Sequence, residues 1–168
     1  MSEIPFDPLT TIRVLLAHRV RFVLIGGYAA SLRGSPVITG DLDLCYARDR
    51  DNLERLAGAL QELGARLRGP NVPDELPFRA DADTLEGGDH FTFQTRTGSL
   101  DIIGTPAGTA GFKDLEAAAT ETTIDGMTVR VASLDDLIRM KERAGRPKDI
   151  AHLQWLRALR QEIDRDEP

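Results

Sequence analysis

Thr39-Gly-Asp-Leu-Asp-Leu-Cys45 places two aspartates at alternate positions between apolar residues. Because successive side chains of a strand point to opposite faces, this pattern predicts a strand with Leu42 and Leu44 in the core and both carboxylates on the other face. Carboxylates held so close repel each other, which raises a pKa unless a cation is bound. Hard cations such as Mg²⁺ and Mn²⁺ prefer oxygen ligands of this kind. The stretch therefore predicts a metal site formed by Asp41 and Asp43.

Two other segments extend this prediction. Upstream, Arg21-Phe-Val-Leu-Ile25 contains a continuous apolar run that is followed by Gly26-Gly27, which indicates a buried strand ending in a turn before a short helix over Tyr28–Arg33. Downstream, Ser99-Leu-Asp-Ile-Ile103 has the alternation of a strand and carries one more aspartate. That residue, Asp101, is the predicted third carboxylate of the metal site.

The composition restricts the class of protein. With 168 residues, 41% of them apolar, the chain is expected to form a single domain, with an α/β core over residues 1–132 and C-terminal helices over 133–161. The net charge of −6 and the pI near 5.1 argue against a duplex-DNA binder, whose surface would be basic. The N-terminal residues lack a signal-peptide pattern, and every apolar run is far shorter than the roughly 18 residues of a membrane span. We expect a cytoplasmic protein that does not bind membranes.

The predicted fold class is α/β (α+β), with a small mixed sheet flanked by helices. Between residues 64 and 88 the apolar residues show no helix or strand periodicity, and prolines and glycines are frequent. This composition predicts a long loop of the kind that is usually functional or mobile in compact domains. The final helix is expected to bury Trp155 along with its leucines. Helices are predicted over 8–19, 52–63, 111–119, 133–143 and from 147 onward, and further strands over 90–95, 99–103 and 127–131.

The order of these motifs resembles a known family. Gly-Gly before a helix, Asp-x-Asp on the next strand and an isolated aspartate on a later strand are similar to the polymerase-beta-like nucleotidyltransferase superfamily. Two segments resemble the AbiEii-type branch of this superfamily, which is associated with toxin–antitoxin systems. One is Phe22 to Tyr46, and the other is Ser133 to Leu156, which contains Leu-Ile-x-Met-Lys and Gly-Arg-x-Lys-Asp. The resemblance takes in most of residues 10 to 160. It implies a nucleotidyltransferase-like fold and an enzyme that moves an NMP from an NTP to an acceptor with Mg²⁺ or Mn²⁺.

The resemblance also implies roles for individual residues. Asp41 and Asp43 would bind both the triphosphate-bound ion and the catalytic ion, while Asp101 would bind the catalytic ion and receive the acceptor proton. Tyr28 stands where related enzymes often have a serine, so another hydroxyl or backbone amides are expected to replace that contact. The predicted nucleotide-binding residues are Gly26, Gly27, Ser31, Arg33 and Lys141, with Arg146 and Lys148 as further candidates to hold phosphates.

Several readings stay open at this point. Gly26-Gly27 is equally typical of an ordinary strand-to-helix turn, and Lys141 of a solvated cation near a helix C-terminus. The acceptor is a tRNA, a protein or a small molecule, and a cognate toxin or antitoxin is an expected partner. A nucleotide-binding antitoxin or scaffold with little or no turnover is the alternative to an enzyme. The three aspartates favour the enzyme, since a binding module would gain nothing from their repulsion.

Overall fold

The computed structural model describes residues 4–73 and 78–166, which form a seven-stranded mixed sheet flanked by helices. The strands are β1 (Phe22–Ile25), β2 (Asp41–Tyr46), β3 (Arg66–Leu67), β4 (His90–Thr95), β5 (Gly98–Ile103), β6 (Thr120–Ile124) and β7 (Met127–Val131). The helices are α1 (Pro8–Ala17), α2 (Gly26–Leu32), α3 (Arg50–Glu62), α4 (Ala82–Glu86), α5 (Phe112–Ala118), α6 (Leu134–Ala144) and α7 (Pro147–Asp166). The predicted fold class is confirmed. The boundary predicted at residue 132 between a core and C-terminal helices stays a prediction.

The sheet order β3-β4-β5-β2-β1-β7-β6 puts β2 and β5 next to each other near the centre. β2 runs antiparallel to β1 and parallel to β5. All four residues of β1 are buried, and on β2 the buried Leu42 and Leu44 alternate with partly exposed aspartates. Side chains of α3, among them Leu53, Leu56 and Leu60, are fully buried in the same core. Full burial of a leucine contributes roughly 2 kcal/mol each, so this core fixes β2 in its register.

The junction of α6 and α7 is a tight elbow whose local structure follows from its residues. Gly145 ends α6 in the left-handed conformation with φ of 64°, which costs glycine no steric strain. Pro147 then occupies the first position of α7, where its missing N–H is not needed. We call residues 141–149 the α6–α7 elbow.

Parts of the sequence interpretation were wrong. The predicted loop over 64–88 contains β3, which pairs with β4, and the short helix α4; its residues 74–77 lie outside the described part of the chain. Gly26 begins α2, so the helix starts two residues before Tyr28. Strand β6 was missed because its five residues, Thr-Glu-Thr-Thr-Ile, are mostly polar and lie at a sheet edge. In the described residues, no helix has the length and apolar character to cross a membrane.

The last helix also buries a different set of residues from the one predicted. Leu153 and Leu156 are buried, whereas Ile150 and Trp155 are 57% and 56% exposed. One face of α7 packs on the core, and the hydrophobicity of a residue does not determine which face it occupies. Trp155 is therefore not a core residue.

Candidate active site

The three predicted carboxylates lie on one face of the central sheet. In the parallel pairing of β2 with β5, Asp43 is directly beside Asp101, and Asp41 is beside Ser99. Because residues two apart on a strand share a face, Asp41 projects on the same side as Asp43. All three side chains line a single cavity of about 770 Å³. We call these residues the aspartate face.

Gly26 lies against this face. Its φ of +70° is a conformation that L-residues with a side chain rarely adopt. A Cβ atom at this position would lie 2.8 Å from Cγ of Asp43 and closer still to its Oδ2. Gly27 is also tightly placed, since its Cβ would lie 3.0 Å from Cβ of Thr39. The start of α2 can approach the Asp43 carboxylate because Gly26 lacks a side chain, and it can approach Thr39 because Gly27 does.

The electrostatics of Asp43 are those of a carboxylate in a crowded acidic cluster. Burial, followed by the negative charges of Asp101 and Asp41, raises the pKa of Asp43 from an ordinary 3.8 to about 7, and the positive charge of Lys141 acts against that rise. A cation bound at the aspartate face would reverse the effect, because each carboxylate would then gain an attractive partner. The cluster therefore has more to gain from a bound cation than isolated surface carboxylates do.

The donor set can be compared with the needs of a metal. Among the residues described, no three His, Cys, Asp or Glu side chains are grouped closely enough to count as a metal site as they stand. The adjacent pair of Asp43 and Asp101, with Asp41 next along the same face, offers oxygen donors only. Such donors match hard divalent ions such as Mg²⁺, which retain several waters and need only one or two carboxylates. The residues thus fit a hard divalent ion at the aspartate face, where Asp43 and Asp101 are adjacent donors.

Cations of the α6–α7 elbow line the same cavity. They are Lys141, Arg146 and Lys148. Lys141 Nζ donates to Oδ1 of Asp149 at 2.9 Å, and Arg146 Nε donates to Oδ2 of the same residue at 2.8 Å. Asp149 therefore forms an ion pair with each of these two cations. The cavity therefore combines a carboxylate cluster with a cluster of cations, which is what a metal-bound polyphosphate requires.

Two predicted nucleotide-binding residues are not brought to the cavity. Ser31 Oγ donates to the carbonyl oxygen of Tyr28 at 2.6 Å, within its own helix. The Arg33 guanidinium donates to the backbone oxygens of Val131 at 2.8 Å and Ala132 at 3.1 Å. Neither residue lines the cavity, and burial lowers the pKa of Arg33. Arg33 joins α2 to the end of β7, so these two assignments are corrected.

The cavity residues that were not selected from the sequence include His90, His152 and Trp155. His152 is 8% exposed, its Nε2 lies 3.3 Å from Oγ of Ser35, and burial lowers its pKa. A signal was present, since residues 148, 152 and 155 are spaced four and three apart and share one helix face. A cation at Lys148 that faces the cavity implies that Trp155 faces it too.

The fold was compared with known proteins. No protein-family model and no curated protein matches the sequence. Among solved structures, the lincosamide antibiotic adenylyltransferase LnuA with bound lincomycin aligns with a TM-score of 0.58 and 15% identity, over 94% of this chain and 99% of that one. ANT(2")-Ia in complex with adenylyl-2"-tobramycin aligns with a TM-score of 0.57 and 20% identity, over 93% and 89% of the two chains.

A third similar structure is TM1012 from Thermotoga maritima, assigned as a nucleotidyltransferase, with a TM-score of 0.56 and 17% identity over 91% of this chain and 96% of that one. Identities this low establish similarity of fold and not of activity. The shared fold is the one that the motif resemblance implied, while the superfamily and its AbiEii-type branch stay predictions. The chain has the fold of the nucleotidyltransferases.

Proposed function

We propose that this protein is a metal-dependent nucleotidyltransferase that moves an NMP from an NTP to an acceptor hydroxyl. The observation that carries the proposal is the side-by-side placement of Asp43 and Asp101 on β2 and β5, with Gly26 packed against Asp43. The fold that the chain shares with LnuA and ANT(2")-Ia supports it.

Two groups of cavity residues would bind the triphosphate of the NTP. The elbow cations Lys141, Arg146 and Lys148 would neutralise the β and γ phosphates, which carry most of the charge. Gly26 and Gly27 would let the backbone approach the triphosphate without a side chain in between. Burial of the phosphates between cations and the sheet then places the α phosphate near the aspartate face.

The reaction forms a bond between the acceptor oxygen and the α phosphorus and breaks the bond to the β-phosphate oxygen, so that pyrophosphate leaves. Mg²⁺ or Mn²⁺ held by Asp41, Asp43 and Asp101 would neutralise charge on the triphosphate and lower the pKa of the acceptor hydroxyl. Asp101 would accept the proton of that hydroxyl at its carboxylate. Lys141 would hold the departing pyrophosphate. Asp41 and Asp43 would act on the triphosphate only through a bound cation, because carboxylates alone repel phosphates.

We propose a small molecule as the acceptor. The similar structures LnuA and ANT(2")-Ia hold lincomycin and adenylyl-2"-tobramycin respectively, and both align over nearly the whole of this chain. A tRNA or a protein acceptor, and a role with a cognate toxin or antitoxin, rest on the sequence resemblance alone. The cavity of about 770 Å³ is of the size that small-molecule sites usually have.

Incubation with each α-labelled NTP and Mg²⁺ tests the proposal. The acceptors are presented separately as small-molecule, RNA and protein fractions, and the Asp101→Asn variant serves as the control. We expect a labelled small-molecule product, separate from the NTP itself, to form with the wild type only. Label in RNA or protein would support the nucleotidyltransferase activity but contradict the small-molecule acceptor. NTP binding without transfer to any fraction would favour a nucleotide-binding antitoxin or scaffold.

A further inference from the structure

Asp149 is a buried carboxylate to which the proposed reaction assigns no step. Its side chain is completely buried, and it does not line the cavity. Only two of the cavity's cations contact it, Lys141 and Arg146. A buried carboxylate is costly unless it is paired, so its presence at this position calls for a reason beyond packing.

The contacts of Asp149 are unusually complete. Oδ1 accepts from Lys141 Nζ at 2.9 Å and from Arg146 Nη2 at 3.4 Å. Oδ2 accepts from Arg146 Nε at 2.8 Å and from the Arg146 backbone N–H at 3.2 Å. Burial alone would raise the pKa of Asp149, but the hydrogen bonds from Arg146 and Lys141 outweigh it and lower the pKa to about 2. The carboxylate is ionised and bound on both oxygens at neutral pH.

These contacts restrict two otherwise mobile side chains. Lysine and arginine each lose up to about 2 kcal/mol of conformational entropy when they are held in one geometry. Asp149 imposes that restriction before any ligand binds, while the Arg146 side chain is still 58% exposed and the Lys141 side chain 20% exposed. Both side chains line the cavity, so they remain accessible to an anion. A binding site that is already ordered binds more tightly, because ordering no longer opposes association.

We infer that Asp149 is a positioning residue that holds Lys141 and Arg146 on the cavity wall as a preformed subsite for the polyphosphate of the NTP. The inference rests on the proposed function, because it names the part of the site that binds the leaving pyrophosphate. Asp149 acts through the two cations and does not touch the substrate.

Two simpler roles for Asp149 lead to different expectations. If only its negative charge matters, its removal should tighten polyphosphate binding, because an anion near the phosphates disappears. If it only caps α7 through the Arg146 N–H, replacement by another capping residue should leave binding unchanged. Positioning alone predicts that binding becomes weaker both when the charge is removed and when the carboxylate is displaced with its charge kept.

Titration calorimetry with inorganic tripolyphosphate and Mg²⁺ distinguishes these roles. Asp149→Asn removes the charge with little change in shape, and Asp149→Glu keeps the charge and the cap but moves the carboxylate by one methylene. The matched control is Asp135→Asn, because Asp135 also joins α6 to α7, through Arg160 Nε at 2.7 Å, but does not line the cavity. We expect both Asp149 variants to bind at least about tenfold more weakly and the control to bind like the wild type.

A double variant tests whether Asp149 acts through Lys141. In the Lys141→Ala background, Asp149→Asn should weaken tripolyphosphate binding clearly less than it does alone, because the same contact has already been removed. If Asp149→Asn caused a general structural defect, its loss of tripolyphosphate affinity would instead add in full to the loss caused by Lys141→Ala. Thermal unfolding of each variant identifies any that fails to fold. If Asp149→Asn fails to fold, Asp149→Glu carries the test.

The outcomes separate this inference from the function on which it rests. Unchanged or tighter binding by both folded Asp149 variants would overturn the positioning role while leaving the nucleotidyltransferase proposal in place. A wild type that binds neither tripolyphosphate nor an NTP would overturn the proposed function and this inference with it.

Discussion

The aspartate face and the α6–α7 elbow line the same cavity but differ in their electrostatics. On the aspartate face, like charges crowd together and the pKa of Asp43 rises to about 7. At the elbow, a buried carboxylate is matched by cations and the pKa of Asp149 falls to about 2. The elbow is satisfied without a ligand, whereas the aspartate face is not. The elbow is therefore preformed, whereas the aspartate face would be neutralised by a bound cation.

The largest effect is expected where the backbone meets the aspartate face. Gly26→Ala should lower the free energy of unfolding by about 3 kcal/mol, because the new Cβ would collide with Asp43 in addition to the strain of a positive φ. Gly64→Ala is the matched control, since Gly64 has φ of +61° but nothing within 4 Å of its Cβ position. Chemical denaturation of both variants measures the difference. Equal losses would show that Gly26 is required only for its backbone conformation.

The crowding of the aspartate face predicts a pH-dependent gain on removing one charge. Because the pKa of Asp43 is near 3.8 when unfolded and about 7 when folded, ionisation destabilises the folded state as the pH rises from 4 to 7. Asp43→Asn should thus raise the free energy of unfolding by on the order of 2 kcal/mol at pH 8 and leave it unchanged at pH 4.

Addition of Mg²⁺ should reverse this ranking, since only the wild type has the full set of negatively charged carboxylate ligands. The check is a set of denaturation curves at both pH values, with and without the ion. A variant less stable than the wild type at pH 8 without Mg²⁺ would mean that Asp43 has a structural role.

The elbow predicts the opposite dependence on pH, with a smaller size. A depressed pKa gives a contribution that is present above about pH 4 and is lost as the pH falls towards 2. Asp149→Asn should therefore lower the free energy of unfolding by about 1 kcal/mol at pH 7, and the gap to the wild type should narrow by pH 3. Urea denaturation at the two pH values measures it. A gap that widens in acid would contradict the ion-pair account.

The sequence predicted the aspartate face well because its signals are local. The alternation of Asp41 and Asp43 with buried leucines depends only on the geometry of a strand, and the same holds for Asp101. Ser31 donates to a carbonyl oxygen of its own helix, whereas the direction of Arg33 depends on the position of β7, which no local pattern contains. Both residues were therefore assigned to the cavity incorrectly.

Other errors came from treating composition as a guide to burial. Trp155 was assigned to the core because it is large and apolar, yet it occupies the face of α7 that lines the cavity. Strand β6 has a polar composition because one edge of the sheet tolerates exposed residues. The complete burial of Asp149 depends on the packing of α7 against α6, which its local sequence does not show.

Asp101→Asn tests the central claim most directly, because the claim assigns Asp101 to the chemistry and the elbow to binding. The measurement compares two quantities in the same preparation: the affinity for a non-hydrolysable NTP with Mg²⁺, and the rate of label transfer to the acceptor. We predict that affinity stays within a few-fold of the wild type, while transfer falls at least about a hundredfold. Loss of both in parallel, or transfer that persists in the variant, would contradict the account.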